Sequence, residues 1–321
     1  MDGAPYSRKT NSDLPDSLCK VRLVGEAVFD WLSDGQAGKV LASVTQAVYL
    51  LCEQDELLWL APETSPMHRR CLRVSSPLPR MQVDTSFQVR DGLLVTETGE
   101  ALDFGHSQVW RPPVPPDGKL LSPSQLAAFV QSAYDRLAAQ TEPSGWGALI
   151  PAILYTANGQ SLPEVAGNGI ILSAKVWPAV KEITLACRAH DFGPVMQQAA
   201  GLIGLGTGLT PSGDDFLGGL FFSISYLRRA YPEIPDLQTW NYLDFILHCK
   251  TQTNLISFTL LKDHSEGHAL DPLHCFANAL LAGQPIDQAL PFAGELAAVG
   301  HSTGWDLLTG FLAGMSVTFS C

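Results

Sequence analysis

The chain has 321 residues, 46% of them apolar and 16% charged, with 32 acidic and 20 basic residues for a net charge of -12. That much apolar sequence can fill a large core and excludes a disordered or collagen-like chain. No Lys/Arg-rich run occurs, which argues against a nucleic-acid or anionic-membrane surface and leaves small molecules or proteins as the expected partners.

The opening MDGAPYSRKTNSDLPDSLCK has basic residues but no apolar stretch behind them, unlike a signal peptide, so a flexible segment over 1–20 and a cytoplasmic location are expected. Short strand-like runs follow at Lys39–Ser43, Ala47–Cys52, Leu57–Ala61, Cys71–Val74, Phe87–Arg90, Leu93–Thr96 and Ala101–Phe104. Turn signals such as Asp34-Gly35, Asp91-Gly92 and Thr98-Gly99 separate them, a spacing that predicts an antiparallel barrel or sandwich over 21–116. The segment RPPVPPDG, Arg111–Gly118, then stops any regular element and predicts a domain boundary.

Beyond it the period becomes helical, and a mainly α-helical domain is expected over 117–321. Ser122 caps a predicted helix Gln125–Ala139, and others are expected at Pro194–Ile203, Gly213–Arg229, Leu237–Leu261, Pro272–Leu281, Ile286–Ala298 and Thr303–Val317. Between Gly145 and Cys187, Gly, Pro and Asn interrupt each apolar run and no element is assigned. Because strands and helices segregate, the fold class is α+β. The apolar segments Phe216–Leu227 and Leu307–Phe319 are too short and too rich in Gly and Ser to span a bilayer, which takes about 20 residues. Seven cysteines without a C-x-x-C pair read as reduced, buried thiols.

The most informative segment is GLIGLGTGLTPSGDDFLGG, Gly201–Gly219. Its glycines end one helix and let backbone N–H groups converge, and Thr210-Pro211 starts the next with Thr210 as expected N-cap. Gly206, Thr207, Gly208, Thr210 and Ser212 are therefore candidate anion or phosphate ligands at a helix N-terminus. The turn lacks the lysine of a P-loop and follows a helix, so it is neither a nucleotide-binding loop nor a dinucleotide fingerprint. A tight helix–helix turn remains the alternative. Asp214 and Asp215 follow at once; two carboxylates beside a bound anion call for a cation, and a Mg²⁺ ion held by both is the expectation. From Gly201 onward the basic residues are Arg228, Arg229, Lys250 and Lys262, so a partner subunit is expected to supply further charge.

The pattern returns near the C-terminus. Ser212–Leu220 aligns without gaps on Thr303–Phe311 as [ST]-G-x-D-[FL]-L-x-G-[LF], which makes Asp215 equivalent to Asp306 and Gly219 to Gly310. Two helix N-termini facing one pocket are expected, with Gly219 and Gly310 letting the helices cross closely. His301 and Ser302, just before the second helix, are candidates for acid/base or substrate contact. Gly300–Gly304 matches G-x-S-x-G, but no strand precedes it and no histidine follows His301, which argues against a serine hydrolase. His264 and His268, broken by Gly267 and Asp271-Pro272, are expected in a solvated loop rather than at zinc. Asn254 and Ser257, with Thr251 and Thr253, form a polar stripe that either lines the pocket or hydrates a helix.

GLGTGLTPSGDDFLGG and GHSTGWDLLTGFLAG resemble the two signature segments of the AllH family, associated with oxamate carbamoyltransferase. The resemblance implies a subunit of a multi-protein enzyme that interconverts oxalurate plus phosphate with oxamate plus carbamoyl phosphate in allantoin breakdown. Thr207 departs from the proline usual in that turn. On this reading Gly206–Thr210 and Ser212 hold phosphate, Asp214 and Asp215 bind metal or position the nucleophile, and His301, Ser302, Asn254 and Asp306 complete the site. The opposing reading is a non-catalytic subunit that binds a carboxylate or acyl phosphate and regulates a partner.

Overall fold

A computed structural model describes residues 18–75, 77–117, 120–159, 169–234, 236 and 242–318. The chain divides into two compact units, one ending at Pro112 and the other beginning at Pro113. Of the expected flexible segment, 1–17 lies outside the described residues, and Leu18 already begins a strand.

In the first unit β1 (Leu18–Gly25) leads into α1 (Glu26–Trp31), then β2 (Ala37–Val44), β3 (Ala47–Cys52), β4 (Leu57–Pro62), β5 (Cys71–Val74), β6 (Ser86–Arg90), β7 (Leu93–Thr96), β8 (Ala101–Asp103) and β9 (Gln108–Trp110). The hydrogen-bonded order β5-β4-β3-β2-β6-β7-β8-β1 closes on itself because β1 also pairs with β5, giving an eight-stranded barrel with β9 added beside β1. Closure leaves few open edges. Alternation sets the inward face: Phe87 and Val89 of β6 are buried while Ser86, Gln88 and Arg90 are exposed. Val40, Leu50, Leu60, Leu72 and Leu94 join them in the core.

The barrel is not wholly antiparallel. β4 pairs with β5, and β1 with β8 and β9, in parallel, since the connections between these strands are longer than the tight turns that enforce antiparallel neighbours. The sequence reading missed β1 and β9. In β1, Val21 and Val24 are buried and Lys20 and Arg22 exposed, an alternation overshadowed by the basic terminus.

The second unit is helical: α2 (Pro123–Ala138), α3 (Ile150–Ala157), α4 (Gly169–Arg188), α5 (Phe192–Ala200), α6 (Ser212–Ala230), α7 (Tyr242–Gln252), α8 (Leu255–Ser265), α9 (Asp271–Leu281), α10 (Ile286–Ala297) and α11 (Thr303–Met315). Strands and helices thus segregate into an α+β fold. α2 starts with a full capping box between Ser122 and Gln125. The unassigned stretch after Gly145 forms a 3-10 turn, Gly145–Leu149, followed by α3 and α4.

Two of the sequence expectations change. Part of the expected helix Leu237–Leu261, 237–241, lies outside the described residues; the rest breaks between α7 and α8, where Asn254 takes a non-helical ψ of 165° and caps α8. Its side chain competes for backbone donors and favours a cap over a helix interior. Asp263, His264 and Ser265 are buried on α8 rather than in a solvated loop, because the helix runs on to Ser265.

α6 and α11 form the centre of this unit. Residues Gly213–Ile224 of α6 and Gly304–Met315 of α11 are buried all round, as befits core helices. They run in the same direction: Thr210 meets Thr303 near their starts, Gly219 meets Leu307 in the middle, and Ser223 meets Gly314 further along. No helix among the described residues is long and apolar enough to cross a membrane.

Candidate functional site

The crossing of α6 and α11 has an internal two-fold character. A Cβ on Gly219 would lie 2.8 Å from both the Leu307 carbonyl carbon and the Phe311 nitrogen. One on Gly310 would lie 2.7 Å from the Phe216 carbonyl carbon and 2.9 Å from the Leu220 nitrogen. Leu307 and Phe311 are the motif counterparts of Phe216 and Leu220, so each glycine opens space for the other helix in the same way. This close approach sets the two first turns side by side.

Four hydroxyls and two carboxylates meet there. Thr303, the first residue of α11, faces Asp215 in the first turn of α6, and Ser212, the first residue of α6, faces Asp306 in the first turn of α11. Each helix thus offers its opening hydroxyl to the carboxylate of the other. Thr210 adds a second hydroxyl at Asp215 and lies 3.1 Å from the Thr303 hydroxyl; Ser302 adds one at Asp306.

Both acids are buried, Asp215 with 5% and Asp306 with 0% of its surface exposed. Burial lifts the Asp215 carboxyl well above the usual carboxylate range, and the charge of Asp306, then that of Asp214, pushes the same way against the Thr303 and Thr210 hydroxyls. Asp306 is raised too, again through burial, with opposition from the Trp146 N–H and the Ser212 and Ser302 hydroxyls. The Trp146 N–H donates to Asp306 Oδ1 at 2.6 Å, while Oδ2 of both acids is buried without a hydrogen bond of good geometry.

Asp214 has a different job. Its Oδ1 accepts from the Gly204 N–H at 2.6 Å, and its Oδ2 accepts from the Ser257 hydroxyl at 2.6 Å and from the Thr253 hydroxyl. It therefore ties the glycine turn to the start of α8. Asn254 reinforces the tie, with Oδ1 accepting from the Ser257 N–H at 3.1 Å and Nδ2 donating to the Leu209 carbonyl at 2.8 Å. Three helix N-termini, those of α6, α8 and α11, thereby converge on one region, each equivalent to about half a positive charge.

The turn over them, Leu205–Gly208, is exposed, and Gly204, Gly206 and Gly208 all take positive φ. Gly206 folds back so tightly that a Cβ there would sit 2.6 Å from the Ser212 nitrogen. Pro211, not Thr210, is the N-cap of α6: its φ of -57° and ψ of 143° place it just outside the helix, and its ring offers no capping oxygen. Thr210 instead spends its hydroxyl on Thr303 and Asp215. His301 is exposed on the turn before α11, and its carbonyl accepts from the Ser144 hydroxyl at 3.2 Å.

The structure gathers Gly206, Thr207, Gly208, Thr210, Ser212, Asn254, His301 and Ser302 at this end of the helices, with Asp214, Asp215 and Asp306 beneath. Mg²⁺ does not fit Asp214 and Asp215: the first has both oxygens committed to protein donors, and the second turns to Thr303, Thr210 and Asp306. Among the described residues no group of three or more His, Cys, Asp or Glu side chains is placed to hold a metal. Sequence reasoning missed Trp146 and Thr303 as partners of the acids. Trp146 acts through its backbone N–H, which leaves no signature in a side-chain pattern.

No curated protein and no solved structure matches the chain. The segment that carries α6, α8, α11 and the glycine turn, residues 202–315, matches the family model described as oxamate carbamoyltransferase subunit AllH, the family its two glycine motifs resemble.

Proposed function

We propose that this chain is a subunit of a carbamoyltransferase complex that interconverts oxamate plus carbamoyl phosphate with oxalurate plus phosphate, and that the convergent starts of α6, α8 and α11 form its share of the substrate site. The observation that carries this reading is the stack of an exposed glycine turn, a layer of serine and threonine hydroxyls and three helix N-termini, all inside the family-matched segment. Such a stack suits a phosphate or carboxylate oxygen. Carbamoyl transfer asks for a held phosphate, a polarised carbonyl and a positioned nitrogen nucleophile, and no covalent enzyme intermediate.

In this scheme Gly206, Thr207, Gly208 and Thr210 bind the anion from the turn, Asn254 fixes the turn through Leu209, and His301 with Ser302 approaches from the second helix. Asp215 and Asp306 orient the hydroxyls above them. The sparse basic residues of this region assign the balancing cations to a partner subunit in the cytoplasm.

Calorimetric titration of the purified chain with carbamoyl phosphate and with inorganic phosphate, with and without Mg²⁺, tests the site. Binding that Thr210→Ala or Ser302→Ala weakens supports it; wild-type binding that neither variant alters removes the site from this turn. The isolated chain is expected to turn over feebly or not at all, so robust transferase activity without partners would refute the subunit reading. A ligand-holding subunit without chemistry is the second reading, favoured by the burial of the Asp215 and Asp306 carboxylates. Unchanged turnover of a reconstituted complex carrying Asp215→Ala would select it.

A further inference from the structure

Asp215 and Asp306 are buried, adjacent and equivalent, and each keeps a buried Oδ2 without a hydrogen bond of good geometry. Two ionised carboxylates so placed repel each other strongly in a medium from which water is excluded. Two protonated ones would leave the N-terminus of α11 without a carboxylate charge and that of α6 with Asp214 alone, which is engaged toward α8.

We propose that Asp215 and Asp306 form one proton-sharing acid pair that holds a single proton at neutral pH and sets the direction of the hydroxyls of Thr210, Ser212, Ser302 and Thr303. The ionised member accepts hydroxyl protons and turns the oxygen lone pairs of those residues away from itself. The protonated member donates its O–H to a hydroxyl oxygen and so frees that residue's own proton to point outward, where it can meet an anion. The exchange across the crossing, Thr303 to Asp215 and Ser212 to Asp306, ties both acids to the hydroxyl layer, while the Trp146 N–H on Asp306 and the charge of Asp214 beside Asp215 bias the proton toward Asp215. These are positioning residues, since neither is exposed to a ligand.

The charged neighbours do not supply another explanation. On α6, Asp214 adds to the repulsion felt by Asp215, but its own charge is met by Gly204, Thr253 and Ser257 at the start of α8. The Gly145–Leu149 turn contributes only the Trp146 N–H. On the other helices packed against α6 and α11 the charged or titratable groups are Lys262, Asp263 and His264 on α8, Lys175, Lys181, Glu182 and Arg188 on α4, and Asp287 and Glu295 on α10.

The test is a carbon-13 NMR titration of the whole chain labelled at aspartate carboxyls, with no substrate present, so that it stands apart from any result on carbamoyl transfer. Among the wild-type resonances, one or two are expected to keep moving near neutral pH, far above the ordinary aspartate midpoint of about 3.9. In Asp306→Asn, which preserves an oxygen for the Trp146 N–H, the Asp215 midpoint is expected to fall by roughly one unit or more as the like charge is removed. Complete titration of every aspartate below about pH 5 in the wild type would overturn the proposal. So would an Asp215 midpoint that Asp306→Asn leaves unmoved.

Discussion

Replacing Gly310 by alanine puts a methyl group where the backbone of α6 already runs. The new carbon would lie 2.7 Å from the Phe216 carbonyl carbon and 2.9 Å from the Leu220 nitrogen, separations that Cβ atoms do not tolerate. Since the obstacles are main-chain atoms, no side chain can rotate aside and the helices must part. Overpacking of this kind costs about 1–3 kcal/mol or more, with rigid backbone at the upper end, while the better helix propensity of alanine returns about 1 kcal/mol. A net loss of about 2 kcal/mol lowers the thermal midpoint of a unit of this size by about 4–8 °C. Gly294 on α10 provides the control, because a Cβ there meets nothing within 4 Å. Gly294→Ala should raise the midpoint by about 2–4 °C on propensity alone. Thermal unfolding followed by helical circular dichroism reads both variants, with Gly219→Ala expected to behave like Gly310→Ala. Equal stability of the Gly310 and Gly294 variants would show that the crossing is not held by these glycines.

The acceptor at Asp214 can be removed in the same way: Asp214→Ala strands the Gly204 N–H and two hydroxyls and should cost about 2–4 kcal/mol. Hydrogen exchange across 201–211 should accelerate, and an unchanged exchange pattern would contradict the brace. Asn254→Ala removes the α8 cap and the bond to Leu209, for a loss of about 1 kcal/mol in urea unfolding and faster exchange at Ser257. Burial lowers the His264 and His274 imidazoles to about 4 and about 3, below the unfolded value near 6.5. The unfolded chain therefore binds protons first, and these groups withdraw stability as pH falls from about 6.5 toward those lower values. Asp215 and Asp306 are raised and act in the opposite sense, so the histidine share is read by difference: between pH 7 and 5, His274→Phe should lose less stability than the wild type. Identical losses would mean that His274 is not held neutral.

The barrel strands were legible because their punctuation is local. Glycine, aspartate and proline bracket runs of β-branched and aromatic residues, and β3, β5 and β7 have the bounds that those runs suggest. What stayed hidden depends on distance along the chain. The parallel pairing of β1 with β8 joins residues some eighty positions apart, and no periodicity within either strand announces it. The helical core was legible through the repeated [ST]-G-x-D motif, which named Asp215, Asp306, Gly219 and Gly310 together. The two neighbouring aspartates illustrate the remaining limit. Asp214 and Asp215 look alike in sequence, yet one helical step of about 100° turns the first toward α8 and the second toward α11. Only the packing of three helices separates a brace from a buried acid.

The matched contacts of α6 and α11 have the form of a symmetric dimer interface, in which residue i of one copy meets residue j of the other and j meets i. Here both copies lie in one chain, each arriving as a helix, a turn and a second helix, α5 with α6 and α10 with α11. Two like halves joined in one chain have one advantage over two separate copies: they need not stay identical. The turn before α11 is short, and the one before α6 is the longer, glycine-rich segment. One half can thus keep the geometry of the crossing while the other carries an exposed turn, and a substitution in either motif can be judged against the residue that occupies its counterpart.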